Sequence, residues 1–218
     1  MNQTISLLWG WTTSPLELFS FLLSIVTVAC NIRQIHWGWL FAILSSALYA
    51  LVFFDAKLYG DMSLQFVFIV VSVWGWWQWL QGKDQTTQTT NHRQCDQVAY
   101  LRPQVLRQSQ WIMSLLFLLI ASAVCFGFLK MYTDSDVPAT DAILTAGSLL
   151  GQILIARKFI ENWLVWIVVD VAYVGLYVYK NLHLTAILYG IFVVLAVMGY
   201  RSWANDLKTP ITEKELRV

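Results

Sequence analysis

The chain has 218 residues, of which 58% are hydrophobic and only 12% charged, with a formal net charge of +1. A soluble domain carries about 25% charged residues, so this composition excludes an ordinary soluble enzyme and describes an integral membrane protein. The near-neutral balance gives no sign of nucleic-acid binding, and Cys30, Cys95 and Cys125 show no spacing suited to a metal or a disulfide framework.

The amino terminus, MNQTISLLWGWTTSP, has no Lys or Arg and no small-residue cleavage site, so it does not read as a cleaved signal peptide. Seven apolar segments follow, at residues 16–32, 37–54, 59–80, 111–129, 139–156, 163–179 and 184–203. Each is near the roughly 17–25 residues that a helix needs to cross a bilayer. Helices are the natural choice, because in lipid every backbone N–H and C=O must be paired within its own segment. The fifth segment is the weakest, with Asp141, Thr145 and Gln152 inside it, and six spans is the alternative. Pro15 and Pro138 stand where helices 1 and 5 should start.

Loop charge orients the chain. With the amino terminus outside, the inner segments hold Arg33, Lys83, Arg93, Arg102, Arg107, Arg157, Lys158, Arg201, Lys208, Lys214 and Arg217. The outer segments hold only Lys57, Lys130 and Lys180, so the basic residues place the carboxyl terminus inside. Residues 81–110, rich in Gln and Thr, then form a cytoplasmic linker that reads as mobile and without a site.

Sliding the chain along itself by 124 residues exposes an internal repeat. GWLFAILSSALYALVFFDAKLYGDMSLQFVFIVVSVWGWWQW (38–79) lies without a gap over NWLVWIVVDVAYVGLYVYKNLHLTAILYGIFVVLAVMGYRSW (162–203). The register pairs Trp39 with Trp163, Tyr49 with Tyr173, Gly75 with Gly199 and Trp79 with Trp203, and upstream Glu17 with Asp141, Ser24 with Ser148 and Arg33 with Arg157. Shared Leu and Val would arise in any two apolar stretches, but paired Trp, Gly, Tyr and Arg would not. Spans 1–3 and 5–7 are therefore two copies facing the same way, and span 4 is the inverting linker. The expected fold is an all-α membrane protein with seven transmembrane helices in a parallel 3+1+3 pseudo-repeat. Its divisions are 15–80 (first repeat), 81–138 (linker and helix 4), 139–203 (second repeat) and 204–218 (cytoplasmic tail). Parallel repeats of this kind are a transporter architecture, with the solute between the copies.

Function is expected where the copies differ. The run VSVWGWWQW (71–79) crowds Trp74, Trp76, Trp77 and Trp79 at one helix end. Trp79 recurs as Trp203 and reads as scaffold. The other three do not recur, and could serve as an interfacial belt, a subunit contact or a ligand wall. In span 6, Trp163, Trp166, Asp170, Tyr173 and Tyr177 recur at three and four residues and share one helix face. The matching face of span 2 is Trp39, Ala42, Ser46, Tyr49 and Phe53, so Asp170 and Trp166 are additions of the second copy. An intramembrane acid must face protein or water. Asp170 is therefore a structural hydrogen-bonded acid, a proton or cation coupling site, or a solute contact. Aromatic faces attract cations, and a flat solute of positive charge suits such a setting. Asn31, Ser45, Ser46, Gln65, Gln152 and Asn162 are further polar groups inside spans that could orient it.

The stretches ARKFIENWLVWIVVDVAYVGLYVYKNLHLTAILYGIFVVLAVMGY and LYGDMSLQFVFIVVSVWGWWQW resemble the PnuC family of bacterial vitamin transporters over about residues 15–203. The R-K-x-x-E-N-W-x-x-W run, Arg157–Trp166, is the most specific part. The resemblance implies a SWEET-like fold and a homotrimer in the bacterial inner membrane. It also implies facilitated diffusion of a nucleoside-like vitamin that a cytoplasmic kinase traps by phosphorylation. Nicotinamide riboside is the usual solute, and relatives carry thiamine, riboflavin or deoxynucleosides. The resemblance further implies that Asn162 and Trp166 contact substrate. Some nicotinamide riboside carriers have Asn where this chain has Asp170. An acid is compatible with either cationic vitamin, nicotinamide riboside or thiamine, and less so with neutral riboflavin.

The expected function is uptake of a small cationic aromatic vitamin, nicotinamide riboside first, with thiamine or an ion-coupled carrier using Asp170 as alternatives. Candidate contacts are Asn162, Trp166, Asp170, Tyr173, Tyr177, Gln152, Ser46, Tyr49, Gln65 and Trp74. No cofactor or metal is expected, and the partners are the vitamin, the lipid bilayer, further copies of the chain and a kinase. A membrane enzyme is disfavoured, because no HExxH, GxSxG or P-loop pattern stands in or beside a span. A pore would show a ring of like groups, which the single asymmetric acid does not provide.

Overall fold

The computed structural model describes residues 5–6, 12–13, 15–55, 59–84, 102–133, 137–179 and 183–208. Among them are seven helices: α1 (Pro15–Ile32), α2 (Gly38–Asp55), α3 (Tyr59–Asp84), α4 (Gln108–Tyr132), α5 (Pro138–Ala156), α6 (Asn162–Tyr179) and α7 (His183–Lys208). A two-residue antiparallel pair, Ile5–Ser6 with Thr12–Thr13, precedes α1 and had no signal in the sequence. Pro15 and Pro138 each open their helix, where the missing N–H costs nothing. Helices α3 and α7 run past the expected ends, to Asp84 and Lys208. Five described helical stretches, in α3 to α7, are long and apolar enough to cross a membrane, while α1 and α2 contribute the shorter apolar stretches Leu18–Ile32 and Gly38–Val52.

The helices pack α1 on α2, α2 on α3, α5 on α6 and α6 on α7. Contacts of α3 with α5 and of α7 with α1 close these two triplets into a ring, and α4 lies outside it against α5.

The triplets share their scaffold interactions in detail. Trp39 meets Trp79 edge-to-face with ring centroids 5.5 Å apart, and Trp163 meets Trp203 in the same way at 5.5 Å. The Trp79 indole N–H donates to the carbonyls of Ile155 and Ala156 at 3.3 and 3.1 Å. The Trp203 indole N–H donates to those of Asn31 and Ile32, both at 3.2 Å. These acceptors are the last carbonyls of α5 and α1, which have no partner inside their own helix. Each triplet thus caps a helix of the other, and the 124-residue register holds for donors and acceptors alike.

Trp79→Phe or Trp203→Phe should therefore lower unfolding stability by about 1–3 kcal/mol, the cost of leaving the Ala156 or the Ile32 carbonyl without its indole donor. Thermal unfolding in detergent checks this, and the two substitutions should cost similar amounts.

The α1–α2 and α5–α6 connections also match. Gln34 (φ 54°) and Lys158 (φ 57°) are the described non-glycine residues with positive φ, and they are 124 apart. Their side chains meet between the triplets, the Lys158 ammonium donating to the Gln34 carbonyl oxygen at 3.2 Å.

The linker expectation needs correction at its carboxyl end. Gln104 pairs with the α5–α6 loop, its N–H donating to the Lys158 carbonyl at 2.8 Å and its carbonyl accepting from Ile160 N–H at 2.9 Å. Leu106 is buried, and its N–H donates to the Glu161 carboxylate at 2.9 Å. Backbone pairing with a loop some 55 residues away holds this segment, and polar composition alone carries no sign of it. Residues 85–101 of the linker lie outside the described residues.

Candidate functional site

A cavity of about 320 Å³ opens inside the ring of six helices, and both triplets line it. From α6 come Trp163, Trp166, Asp170, Tyr173 and Tyr177, all five members of the face read from the spacing. From α1 to α3 come Ser24, Thr27, Asn31, Ser45, Ser46, Gln65, Phe68 and Ser72. Helix α5 adds Ser148 and Gln152, and α7 adds Tyr189, Phe192 and Ala196.

One wall is aromatic. Tyr173 and Tyr177 stack at 5.8 Å with their planes 17° apart, and Tyr189 approaches them at 4.8 and 5.1 Å. Phe192 then meets Tyr189 edge-to-face at 5.7 Å. Trp166 stands one turn of α6 before Asp170 on the same lining face.

Another part of the lining is hydroxyl-rich. The Ser24 and Ser45 hydroxyls lie 2.8 Å apart and 3.0 and 2.9 Å from the Ser20 carbonyl, so one donates to that carbonyl and the other either to it or to its fellow hydroxyl. In the second triplet the equivalent Ser148 donates to the Leu144 carbonyl at 2.9 Å. Gln152 of α5 donates to Ser72 of α3 at 3.2 Å. The equivalent positions between α1 and α7 are Val28 and Ala196, so this polar bridge exists on one side only.

Asp170 is 4% exposed, and among the described lining side chains it is the only carboxylate, ammonium or guanidinium group. Its counterpart in the first triplet is Ser46, which also lines the cavity. The one carboxyl group among the described lining side chains is therefore supplied by the second triplet.

Of the ten residues expected at the site, seven line the cavity: Trp166, Asp170, Tyr173, Tyr177, Gln152, Ser46 and Gln65. Asn162, Tyr49 and Trp74 are not among the lining side chains. Asn162 is fully buried in the first turn of α6, and its amide donates to the Phe159 carbonyl at 2.6 Å. Trp74 packs on the buried cluster around Trp79 and Trp163, with the Arg157 guanidinium 5.7 Å from its ring. Trp76 packs on the same cluster, while Trp77 is exposed. Part of the Trp run is thus core.

Tyr189, Phe192, Ser24 and Thr27 line the cavity without being among the ten candidates. Ser24 and Ser148 were visible as a repeat pair without an assigned role. Nothing local marks Tyr189, whose counterpart is Gln65. The side chains of Glu17 and Phe53 lie outside the described residues.

A family profile described as nicotinamide mononucleotide transporter matches residues 14–205. The chain belongs to the PnuC transporter family. The nicotinamide riboside transporter PnuC of Escherichia coli (strain K12) is 21% identical over 222 residues, covering 91% of this chain and 89% of that protein. The riboflavin/roseoflavin transporter RibM of Streptomyces davaonensis is 27% identical over 186 residues, covering 84% and 81%. A crystal structure of the vitamin B3 transporter PnuC superposes with a TM-score of 0.68 at 23% identity, covering 88% of this chain and 82% of that one. At that identity the structural likeness shows the fold, a seven-helix PnuC fold. Membership places this chain among multi-pass membrane transporters and not among enzymes.

Proposed function

We propose that this PnuC-family chain carries a small cationic aromatic vitamin across the membrane, nicotinamide riboside in first place. The observation that carries the reading is a single carboxylate, Asp170, in a cavity that both triplets share and that two indoles and three phenol rings also line. Aromatic faces and a carboxylate both attract a flat cation, and their effect grows where water is excluded. The hydroxyl and amide groups of Ser24, Ser46, Gln65 and Gln152 face the same space and suit the hydroxyls of a ribose. The volume lies at the lower end of the roughly 300–1,000 Å³ range of small-molecule pockets, which suits a nucleoside better than a larger ligand.

Relatives are named for both nicotinamide riboside and riboflavin transport. Relatedness alone does not choose between them, since the solute is read by side chains such as Asp170. Titration calorimetry in detergent with nicotinamide riboside, thiamine and riboflavin tests the reading. Binding of one or both cationic vitamins with weak or no riboflavin binding is expected. Preference for riboflavin would overturn it.

The same reading includes facilitated diffusion with the solute retained by a cytoplasmic kinase, the amino terminus outside, an inner-membrane location and a homotrimer. The basic loops and the family resemblance support these points. Uptake into liposomes that is unchanged by an imposed proton or sodium gradient is the outcome expected of facilitated diffusion. Gradient-driven accumulation would favour the ion-coupled alternative at Asp170. Asn162 and Trp166 remain proposed contacts, Trp166 directly as a cavity wall and Asn162 through the start of α6 that it braces.

A further inference from the structure

The two triplets fill one matched place beside the cavity differently. In the second triplet α5 carries Gly151 and α6 carries Trp166, and in the first triplet α1 carries Thr27 and α2 carries Ala42. A Cβ on Gly151 would lie 2.9 Å from Cε2 and 3.0 Å from Nε1 of the Trp166 indole. Real side chains do not approach so closely, so the indole rests directly on the bare backbone of α5. Gly151 is buried, and no substitution there could turn its side chain away from the ring. In the first triplet the helix has kept its side chain, with the Thr27 hydroxyl donating to the Leu23 carbonyl at 2.9 Å, and the facing residue is only Ala42.

We propose that Gly151 is a positioning residue that determines solute specificity by acting through Trp166. With no side chain at 151 the indole lies against the α5 backbone, and the cavity beside it stays open to a flat ring. Any side chain at 151 would swing the indole into that space and narrow it. The inference rests on the proposed role of Trp166 as a ring wall. It adds that the width of the slot is set from α5, by a residue with no side chain of its own to touch the solute.

The test is a double-mutant cycle on the full chain in detergent, with nicotinamide riboside and thiamine as probes. Gly151→Ala should weaken binding of the preferred probe about tenfold or more in the parent. It should leave affinity unchanged when Trp166→Ala is already present. Melting supplies a second readout with opposite signs. Gly151→Ala should lower the melting temperature of the parent by forcing the ring aside. It should raise that of Trp166→Ala, because Ala is the better helix former once the ring is gone. A Gly151→Ala chain that folds only together with Trp166→Ala meets the same expectation. Equal effects in both backgrounds, or no effect in the parent, overturn the inference while leaving the ring-wall reading intact. Trp166→Ala binding as tightly as the parent would sink the ring-wall reading itself, and the inference with it.

Discussion

Asp170→Asn is expected to remove most of the affinity for a cationic vitamin while leaving the protein folded and, if anything, firmer. Asn keeps the size and the hydrogen-bonding shape of the side chain but deletes the cavity's only described carboxylate. The cationic ring nitrogen of either vitamin has no N–H to donate, so what is lost is charge attraction, expected to be worth roughly tenfold to a hundredfold in Kd. Stability should move the other way. An ionised acid near mid-span costs about 2.5–3.5 kcal/mol on insertion scales, and Asn escapes much of that. The pair of outcomes separates the readings of Asp170. A purely structural acid would give lower stability and unchanged affinity among folded molecules. A solute contact gives lower affinity with equal or higher melting temperature. Riboflavin binding, if any is detected, should not weaken, because a neutral ring gains nothing from the charge. Calorimetry and thermal unfolding on the same detergent preparation read both quantities.

Gly199→Ala and Gly75→Ala should be the most destabilising Gly→Ala substitutions among the described glycines. A Cβ at Gly199 would sit 2.6 Å from three ring atoms of Trp163, and one at Gly75 would sit 2.5 Å from the Trp39 ring. Neither indole can retreat. Trp39 and Trp163 are 0% and 2% exposed, and each is pressed edge-to-face by the Trp at the end of the same helix as the glycine. Overpacking of this kind costs about 1–3 kcal/mol, and more when the neighbour is rigid. Elsewhere in a helix the same substitution gains roughly 0.5–1 kcal/mol from reduced backbone freedom, so the sign is diagnostic. Gly127, Gly175 and Gly190 have nothing within 4 Å of an added Cβ and are the controls. Ala at these three should be neutral or stabilising by thermal unfolding in detergent, while Ala at 75 or 199 should melt earlier. If all five behaved alike, the indole-on-glycine packing would not be what holds each triplet together.

The lining face of α6 was legible because its members recur every three and four residues along one helix. That periodicity is a property of the helix alone, and all five residues do reach the cavity. Asn162 sits on the same nominal face but is drawn aside at the helix start, where its amide meets the Phe159 carbonyl. A helical wheel cannot foresee this, since the bond depends on the turn before the helix. Trp74 reads as a candidate contact from its aromatic neighbours, yet its ring packs on the core beside Arg157. The segment ending at Leu106 reads as polar linker, but a distant loop supplies partners for its backbone.

The seven helices and the two-fold repeat could be determined from sequence alone, because bilayer hydrocarbon forces each apolar segment to satisfy its own backbone. The repeat also left the same Trp and Gly at the same offset. Only the tertiary structure decided which polar groups share one space. Ser24, Gln65, Gln152, Tyr189 and Asp170 come from five different helices. Their convergence depends on how each helix is rotated when the ring closes, and that rotation is set by packing between helices, which no single segment encodes.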